Sequence, residues 1–242
     1  MRNFDRPNIL LLYTDQQRLD TIAACGGKYA VSPGLDRLCA QGVRFSNFYV
    51  QNPVCMPSRM SFLTGRYCSS LGIGCNGIPF PASAHSLNML LSSYGYETAQ
   101  IGKLHFQPHA LRDHRNPHPV YGFDTFILSD EPGCYDDAYT KWVEAVASEE
   151  VKGIRTSLPP AALFYGKTSY SDVPRNTHEP YIFESSEDLT HSSFVAAETI
   201  RFLKKPHSGP FFAIAGFYAP HTPVNPPRRY VEMFNEKDMG FP

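Results

Sequence analysis

The segment formed by residues 55–66 holds the side chains best suited to chemistry. It reads C-M-P-S-R, followed after four residues by T-G-R. Pro57 suits the first turn of a helix and Gly65 suits its end, so Cys55 and Arg59 are predicted to lie at the N-terminal end of a short helix. Free backbone N–H groups there bind anions, and the planar Arg59 guanidinium matches an oxyanion. The pattern therefore predicts an anion site with a cysteine at its edge.

Polar side chains also follow three apolar runs. Asp15 comes after the run I-L-L-L at residues 9–12, Lys103 and His105 follow the run that ends at Ile101, and His221 follows the run at residues 211–218. In open α/β sheets, ligands bind beyond the carboxyl ends of the strands. Taken singly, an Asp after a strand is more often a turn residue, and a lone His is more often structural. Together they predict one functional edge.

The elements that must position these residues alternate between strands and helices. Residues 8–13, 98–101 and 211–218 are predicted as strands, and apolar residues at helical spacing predict helices near 33–41, 87–94, 139–146 and 196–203. This alternation predicts an α/β fold with a mostly parallel sheet sandwiched by helices. Residues from about 152 to 188 have weak periodicity and several prolines, which predicts a loop-rich excursion over the active face. No internal repeat or domain boundary is evident.

Composition narrows the function classes. The 242 residues carry 22 Lys+Arg against 23 Asp+Glu, and this near-neutral balance argues against a nucleic-acid binder. No apolar run is long enough for a membrane span or a signal peptide, so we expect no membrane partner and a cytoplasmic location, unless a leader has been removed. The six cysteines include no C-x-x-C pair, which disfavours a zinc ribbon, and those other than Cys55 are expected to be small buried hydrophobes.

The C-x-P-S-R and T-G-R segment resembles the signature of the sulfatases, within the alkaline phosphatase superfamily. Other segments resemble the family in the same order: R-P-N-I-L at 6–10, G-K-L-H at 102–105, G-F-D at 122–124 and P-H-T-P at 220–223. The resemblance implies an alkaline-phosphatase or sulfatase-like α/β fold. It also implies that residues 1–242 form the N-terminal part of a single catalytic domain that is incomplete at the C-terminus, because family members are much longer and their second half supplies further metal ligands and another lysine.

The same resemblance implies a metal centre and a modified nucleophile. Asp15 would bind a divalent cation, Ca²⁺ first and Mg²⁺ as the alternative, with Gln16 where many members have a second Asp. Cys55 would be oxidised to formylglycine by a maturation enzyme, and its hydrate would be both metal ligand and nucleophile. Arg59 would hold that diol and offset negative charge. Carboxylate and amide oxygens are ligands that both cations prefer.

The remaining implied residues handle the sulfate. Lys103 would bridge sulfate and nucleophile, His105 would orient a diol hydroxyl, and His221 would contact the sulfate or protonate the leaving oxygen. A cation, an arginine and a lysine would stabilise the charge that develops on the leaving oxygen. The predicted function is therefore hydrolysis of a sulfate ester of a small molecule or saccharide.

Three alternatives stay open at this point. A phosphonate monoester or phosphodiester hydrolase of the same superfamily shares these motifs. A non-catalytic fragment would bind anions or partners without turnover. A redox or zinc protein built on the six cysteines is the weakest of the three. An incompletely covered sheet would also favour self-association into a homo-oligomer.

Overall fold

A parallel sheet forms the centre of the molecule. The computed structural model describes residues 6–109, 116–156 and 179–239. Its strands are β1 (Ile9–Tyr13), β2 (Glu97–Gly102), β3 (Thr125–Leu128) and β4 (Phe211–Gly216). They lie in the order β1-β4-β2-β3, and every neighbouring pair is parallel. All the carboxyl ends therefore meet at one edge.

Helices cover the two faces of this sheet. They are α1 (Pro33–Gln41), α2 (Cys55–Thr64), α3 (Cys68–Leu71), α4 (Leu87–Ser93), α5 (Ala138–Val146), α6 (His191–Lys204) and α7 (Arg228–Val231). Among the described residues, short 3-10 helices lie at Leu19–Thr21, Ala23–Cys25, Ser148–Glu150, Glu187–Leu189 and Glu236–Asp238. The longest helix, α6, begins where the Thr190 side chain accepts the backbone N–H of Ser193.

Two apolar cores lie on opposite sides of the sheet, because side chains alternate along each strand. In β4, Phe211, Ala213 and Ala215 face the core that contains α5 and α6. Phe212 and Ile214 face the core that contains α2. The strand is buried along its whole length, as expected for the interior of a parallel sheet. The edge strand β1 is an exception, because Leu10 and Leu12, which pair with Ala213 and Ala215 on the α5 and α6 side, are 40% and 50% exposed.

The predicted α/β architecture is confirmed, with three differences in detail. Strand β3 was not predicted. Helix α4 forms where its spacing predicts, but its apolar stripe is exposed at Leu87, Leu90 and Tyr94. The buried residue of this helix is Asn88, which lies outside the stripe. Of the six cysteines only Cys134 is buried, so the expectation of buried thiols is wrong for most of them. The polar Asn88 turns inward because its amide donates to the Tyr121 carbonyl.

The predicted excursion at residues 152–188 falls partly outside the described residues, which omit 157–178. On either side, residues 151–154 form a turn and residues 179–186 carry no helix or strand. Within the described ranges, no helix combines the length and the hydropathy needed to cross a bilayer.

Candidate functional site

Helix α2 presents Cys55 at its first residue, as the sequence predicts. The helix ends at Gly65, whose φ of 63° is left-handed and suits glycine. Arg59 lies one turn beyond Cys55 and therefore on the same face of the helix. Cys55 is half-buried, whereas Arg59 is only 3% exposed. The helix thus directs a buried guanidinium and an accessible thiol toward the same side.

Asn76 holds the start of α2. Its Oδ1 accepts the backbone N–H of Met56 at 3.1 Å, which is one of the N–H groups that a helix leaves without an internal partner. Its Nδ2 donates to the Cys55 Sγ at 3.3 Å. Sequence reasoning missed Asn76, because it lies in a loop 21 residues away and no spacing links it to the helix.

A compact charge cluster, formed by Asp15, Arg59 and Lys103, lies at the carboxyl edge of the sheet. The Arg59 guanidinium donates to Asp15 Oδ2 at 3.1 Å and to the Lys103 carbonyl at 2.9 Å. The Lys103 Nζ is 2.9 Å from the same Asp15 oxygen. All three side chains are buried. The ends of β1 and β2 and the helix α2, which the sequence predicts to converge, are joined here.

Two glycines let β2 and β4 approach closely beneath this cluster. A Cβ at Gly216 would lie 2.0 Å from the Lys103 carbonyl oxygen, and one at Gly102 would lie 2.2 Å from the Gly216 carbonyl oxygen. Gly102 also has a φ of 85°. The Lys103 N–H donates to the Gly216 carbonyl at 2.7 Å. This tight packing places the Lys103 backbone where Arg59 can bind it.

The environment of Asp15 keeps it ionised. Burial alone would raise the pKa of the Asp15 carboxyl, and this is the largest single effect. The positive charges of Lys103 and Arg59 outweigh burial together, and His221 adds a smaller contribution, so the pKa lies below its usual value. An ionised carboxylate between two cations is suited to a further hard cation only if one of those ion pairs rearranges.

Aromatic rings complete the walls of the cluster. The Arg59 guanidinium lies 4.6 Å from the centroid of the Tyr13 ring, and the Lys103 Nζ lies 4.5 Å from that of Tyr218. Such contacts stabilise buried cations through the negative face of the ring. Neither tyrosine was among the predicted site residues, although each is the apolar end of a predicted strand.

His105 lies beside the charge cluster with a second histidine. Its ring centroid is 4.8 Å from that of His109, and its Nδ1 is buried without a hydrogen-bond partner. Burial is the main cause that lowers the pKa of His105 well below its usual value, and the charges of His109, Lys103 and Arg59 lower it further. The His105 ring is therefore neutral at neutral pH and is able to accept a proton.

The predicted metal ligands are only partly assembled. Asp15 supplies a buried carboxylate, but the Gln16 side chain is exposed and its backbone has a φ of 60°. Among the described residues, no hydrogen bond joins Gln16 to the charge cluster. The Asp15 carboxylate and the Gln16 amide carry the type of oxygen ligand that a hard divalent cation prefers. Ca²⁺ needs about six to eight such oxygens.

A different trio also brings three donor atoms close together. His105, His109 and Glu131 each offer one within 4.8 Å of the others. The Lys103 ammonium lies 3.9 Å from Glu131, and both ring nitrogens of His109 face polar atoms of the protein, at Asp130 and at Tyr135. A cation there would face a lysine and would have to displace these contacts, so the trio is better explained as part of the histidine network.

His221 lies at the mouth of a cavity of about 580 Å³. Its Nδ1 is 2.5 Å from the Thr222 carbonyl, and its ring packs 4.7 Å from that of Tyr218. The cavity extends from the loop after β4 to α5 and α6 and has mostly apolar walls, among them Tyr139, Phe183, Pro220, Pro223 and Val224. Through Tyr218, His221 adjoins the charge cluster, so all four predicted strand-end residues share one edge.

Comparisons with known proteins show the family of the chain. The family model described as Sulfatase matches residues 7–240. An arylsulfatase of Clostridium perfringens is 31% identical over 98% of this chain, which covers 48% of that protein. The chain therefore spans about half the length of the curated relatives it matches.

Solved structures give the same result for the fold. A phosphonate monoester hydrolase of Agrobacterium radiobacter superposes with a TM-score of 0.75 and 25% identity, over 98% of this chain and 45% of that one. A protein in complex with its substrate D-glucosamine-2-N,6-O-disulfate superposes with a TM-score of 0.66 and 25% identity, over 98% and 39% of the two chains. Since the family model extends over nearly every residue and the signature cysteine begins a helix directed at the charge cluster, the chain belongs to the sulfatase family.

Proposed function

We propose that this chain carries the sulfate-binding half of a sulfuric ester hydrolase. The observation that carries the proposal is the convergence of Asp15, Arg59 and Lys103 beside the helix that starts at Cys55. The guanidinium of Arg59 and the ammonium of Lys103 are the cationic groups that this cluster offers to a sulfate ester anion, and the anions beside them are Asp15 and, 3.9 Å from Lys103, Glu131. Family membership and the named arylsulfatase relative support this reaction class.

The chemistry beyond the encoded side chains comes from two additions. Formylglycine at position 55 would supply a nucleophilic hydroxyl, and a divalent cation, Ca²⁺ in our proposal, would polarise the sulfate oxygens. Asp15 would bind that cation, with the Gln16 amide as a further ligand. Asn76, which already donates to the side-chain atom of residue 55, would fix the orientation of the nucleophile.

The residues of this chain then divide the remaining work. Arg59 is held by Asp15 and by the Lys103 carbonyl, so it offers a fixed positive charge to the bound anion. The Lys103 ammonium, held against Asp15, is placed to bridge the anion and position 55. His105 is neutral and takes up a proton from the nucleophilic side. His221, at the cavity mouth, contacts the leaving oxygen and supplies its proton.

The substrate class follows from the cavity beside His221 and from the relatives. The mostly apolar walls accept the ring of an aryl group or the carbon face of a sugar. One structural relative is in complex with D-glucosamine-2-N,6-O-disulfate, which supports a saccharide sulfate. We therefore propose a small-molecule or saccharide sulfate ester as substrate and a formylglycine-generating enzyme as a partner during maturation.

Peptide mass spectrometry and a rate assay test this function together. We expect peptides that contain residue 55 to carry an aldehyde in place of the thiol when the protein is made in a host with the maturation enzyme. The matured chain, supplied with Ca²⁺, should hydrolyse an aryl sulfate at least about 1,000-fold faster than Cys55→Ala, because loss of a nucleophile removes covalent catalysis. Cys68→Ala is the matched control and should keep its rate; Cys68 begins α3, and its thiol faces the Pro57 carbonyl of α2.

The opposite results would support the other readings. A matured chain no faster than Cys55→Ala would favour the anion-binding, non-catalytic alternative. The phosphonate hydrolase alternative is favoured by one observation, the TM-score of 0.75 with a phosphonate monoester hydrolase. A panel of aryl sulfate, phosphonate monoester and phosphodiester separates the two, since the proposal requires the aryl sulfate to have the highest kcat/KM.

A further inference from the structure

We propose that Asp130 and His109 form a positioning pair that sets both the backbone and the ring of His105. Neither residue touches the charge cluster directly in the contacts described above. The proposal rests on the proposed function only for its kinetic consequence. The positioning itself is a statement about geometry and is tested without turnover.

Asp130 binds the backbone of the segment that carries His105. It follows β3, and its side chain is fully buried. Its Oδ1 accepts the backbone N–H of Leu104 at 2.7 Å and that of His105 at 2.8 Å. His105 has a φ of 56°, a left-handed conformation that non-glycine residues adopt rarely and at a cost. Two charge-assisted hydrogen bonds to consecutive amides are the contacts that hold this conformation.

The second Asp130 oxygen faces His109. The His109 Nε2 lies 3.1 Å from Asp130 Oδ2. Burial by itself would raise the pKa of Asp130, but the hydrogen bond and the charge of His109 outweigh it, so the pKa of this carboxyl lies far below its usual value. An ionised, buried carboxylate favours a proton on the nitrogen that faces it, and that nitrogen is the His109 Nε2.

Tyr135 fixes the other nitrogen of His109. The Tyr135 hydroxyl lies 3.3 Å from His109 Nδ1 and accepts the backbone N–H of Glu131 at 3.2 Å. The Tyr135 hydroxyl thus faces Nδ1 and the Asp130 carboxylate faces Nε2. The rings of His109 and Tyr135 are stacked within 16° of parallel. The His109 ring is therefore held in one orientation.

His109 in turn forms one side of the pocket around the His105 ring. The centroid distance of 4.8 Å and the interplanar angle of 41° leave the His105 ring little freedom to rotate. The cationic Lys103 and Arg59 of the charge cluster also act on this ring, and the anionic Asp130 opposes them. The Glu131 carboxylate, with an oxygen within 4.8 Å of a nitrogen of each histidine, is a second anion beside the two rings.

The test uses ¹⁵N-labelled chain and long-range ¹H–¹⁵N spectra of the histidine rings. In the unmodified protein we expect His109 to carry its proton on Nε2. In Asp130→Asn the amide oxygen can still accept the Leu104 and His105 N–H groups while its NH₂ faces His109, so we expect the proton to move to Nδ1 and the His105 ring signals to shift. Asp124→Asn is the matched control, because this carboxylate accepts the Thr98 N–H at the other end of β3, at 2.8 Å, and should leave both rings unchanged.

His109→Phe makes the test independent of whether Asp130→Asn folds. It keeps a stacked ring but removes both nitrogens, so the His105 ring signals should move or broaden. In the aryl sulfate assay both variants should lose kcat by roughly 100-fold with little change in KM, because a misplaced proton acceptor slows the chemical step. Ring spectra identical to those of Asp124→Asn would overturn the proposal, as would a His109 protonated on Nδ1 in the unmodified chain. If the chain does not hydrolyse sulfate esters at all, the spectra alone still decide the positioning.

Discussion

Two regions at the carboxyl edge of the sheet bury polar side chains in opposite ways. The charge cluster of Asp15, Arg59 and Lys103 buries one anion and two cations, in direct contact with each other. On the far side of Tyr218, His191 is buried among Tyr139, Phe194 and Tyr218, and burial is the main cause that lowers its pKa to about 3. One region keeps its charges because they are paired, and the other loses its charge because burial outweighs the opposing effect of Asp130.

The difference shows what each region contributes to an anion site. Paired charges provide a permanent field at the place where a sulfate would bind, but their stability depends on every member. A neutral buried histidine adds shape and a proton acceptor without adding repulsion. Tyr218 lies between the two regions and contacts Lys103 on one side and His191 on the other.

Removing the anion of the charge cluster should have the largest effect on stability. Asp15→Ala removes the carboxylate that pairs with Arg59 and leaves Lys103 with the more distant Glu131 carboxylate, 3.9 Å away. We expect it to lower the free energy of unfolding by about 3–5 kcal/mol, the usual cost of breaking a buried pair. Urea denaturation followed by circular dichroism measures this quantity.

Asp20→Ala is the control for that experiment. Asp20 pairs with Arg18 in the same loop, but these side chains are 55% and 70% exposed. Exposed pairs contribute about 0–1 kcal/mol, so this variant should unfold nearly as the parent does. Equal losses of unfolding free energy in the two variants would show that burial does not set how much the charge cluster contributes to stability.

The sequence predicts the residues of the charge cluster but not the residues that position the site. The charge cluster follows from topology: Asp15 and Lys103 come directly after apolar runs, and parallel strands bring such positions together. Its third member, Arg59, was found through the helix signals of Pro57 and Gly65. These are local patterns, so they are visible without coordinates.

The positioning residues have no such pattern. Asp130 acts on backbone amides 25 and 26 residues away, and Asn76 acts on a helix start 20 residues away. Backbone groups exist at every position, so no residue type marks their partner. Strand β3, which delivers Asp130, was also missed because its run T-F-I-L has only four residues and no alternation. The apolar stripe of α4 shows a different limit. Its spacing predicts the helix and its apolar face, but not whether another part of the chain covers that face.

As the pH decreases, His191 should begin to lower the free energy of unfolding before the charge cluster does. The pKa of His191 is about 3 in the folded chain and near 6.5 when unfolded. Below pH 6.5 the unfolded chain binds a proton that the folded chain does not, so stability falls as the pH decreases toward 3. At pH 5 this one group should cost about 2 kcal/mol relative to pH 8.

His191→Phe should flatten that pH dependence. The measurement is the free energy of unfolding at pH 8, 6.5 and 5, in parallel with His85→Phe, whose histidine is exposed. We expect the His85 variant to keep the parent's slope of unfolding free energy against pH. In the His191 variant this slope should be smaller by about 1.4 kcal/mol per pH unit at the acid end. An unchanged slope in His191→Phe would mean that the buried ring accepts a proton without cost.

The smallest effect is expected at the amino end of β2, where a third polar group tests whether pairing or burial sets the energy. Glu97 binds Lys205 and the Nδ1 of His207, at 2.7 Å for the histidine, so it has two partners as Asp15 does. Burial would raise the pKa of Glu97, but hydrogen bonds from Lys205 and His207 outweigh it and lower the pKa. Unlike Asp15, its side chain is 29% exposed, and that of Lys205 is 39% exposed.

Glu97→Gln should therefore cost no more than about 1 kcal/mol, and the loss should shrink further in 1 M salt, which screens exposed pairs. Since the pKa of Glu97 is lowered, its contribution is complete above the unfolded value and disappears as acid protonates the folded carboxyl, so parent and variant should converge at low pH. Chemical denaturation in low and high salt measures both effects. A loss as large as that of Asp15→Ala would mean that the number of partners, and not their removal from water, sets the cost of breaking a charge network in this protein.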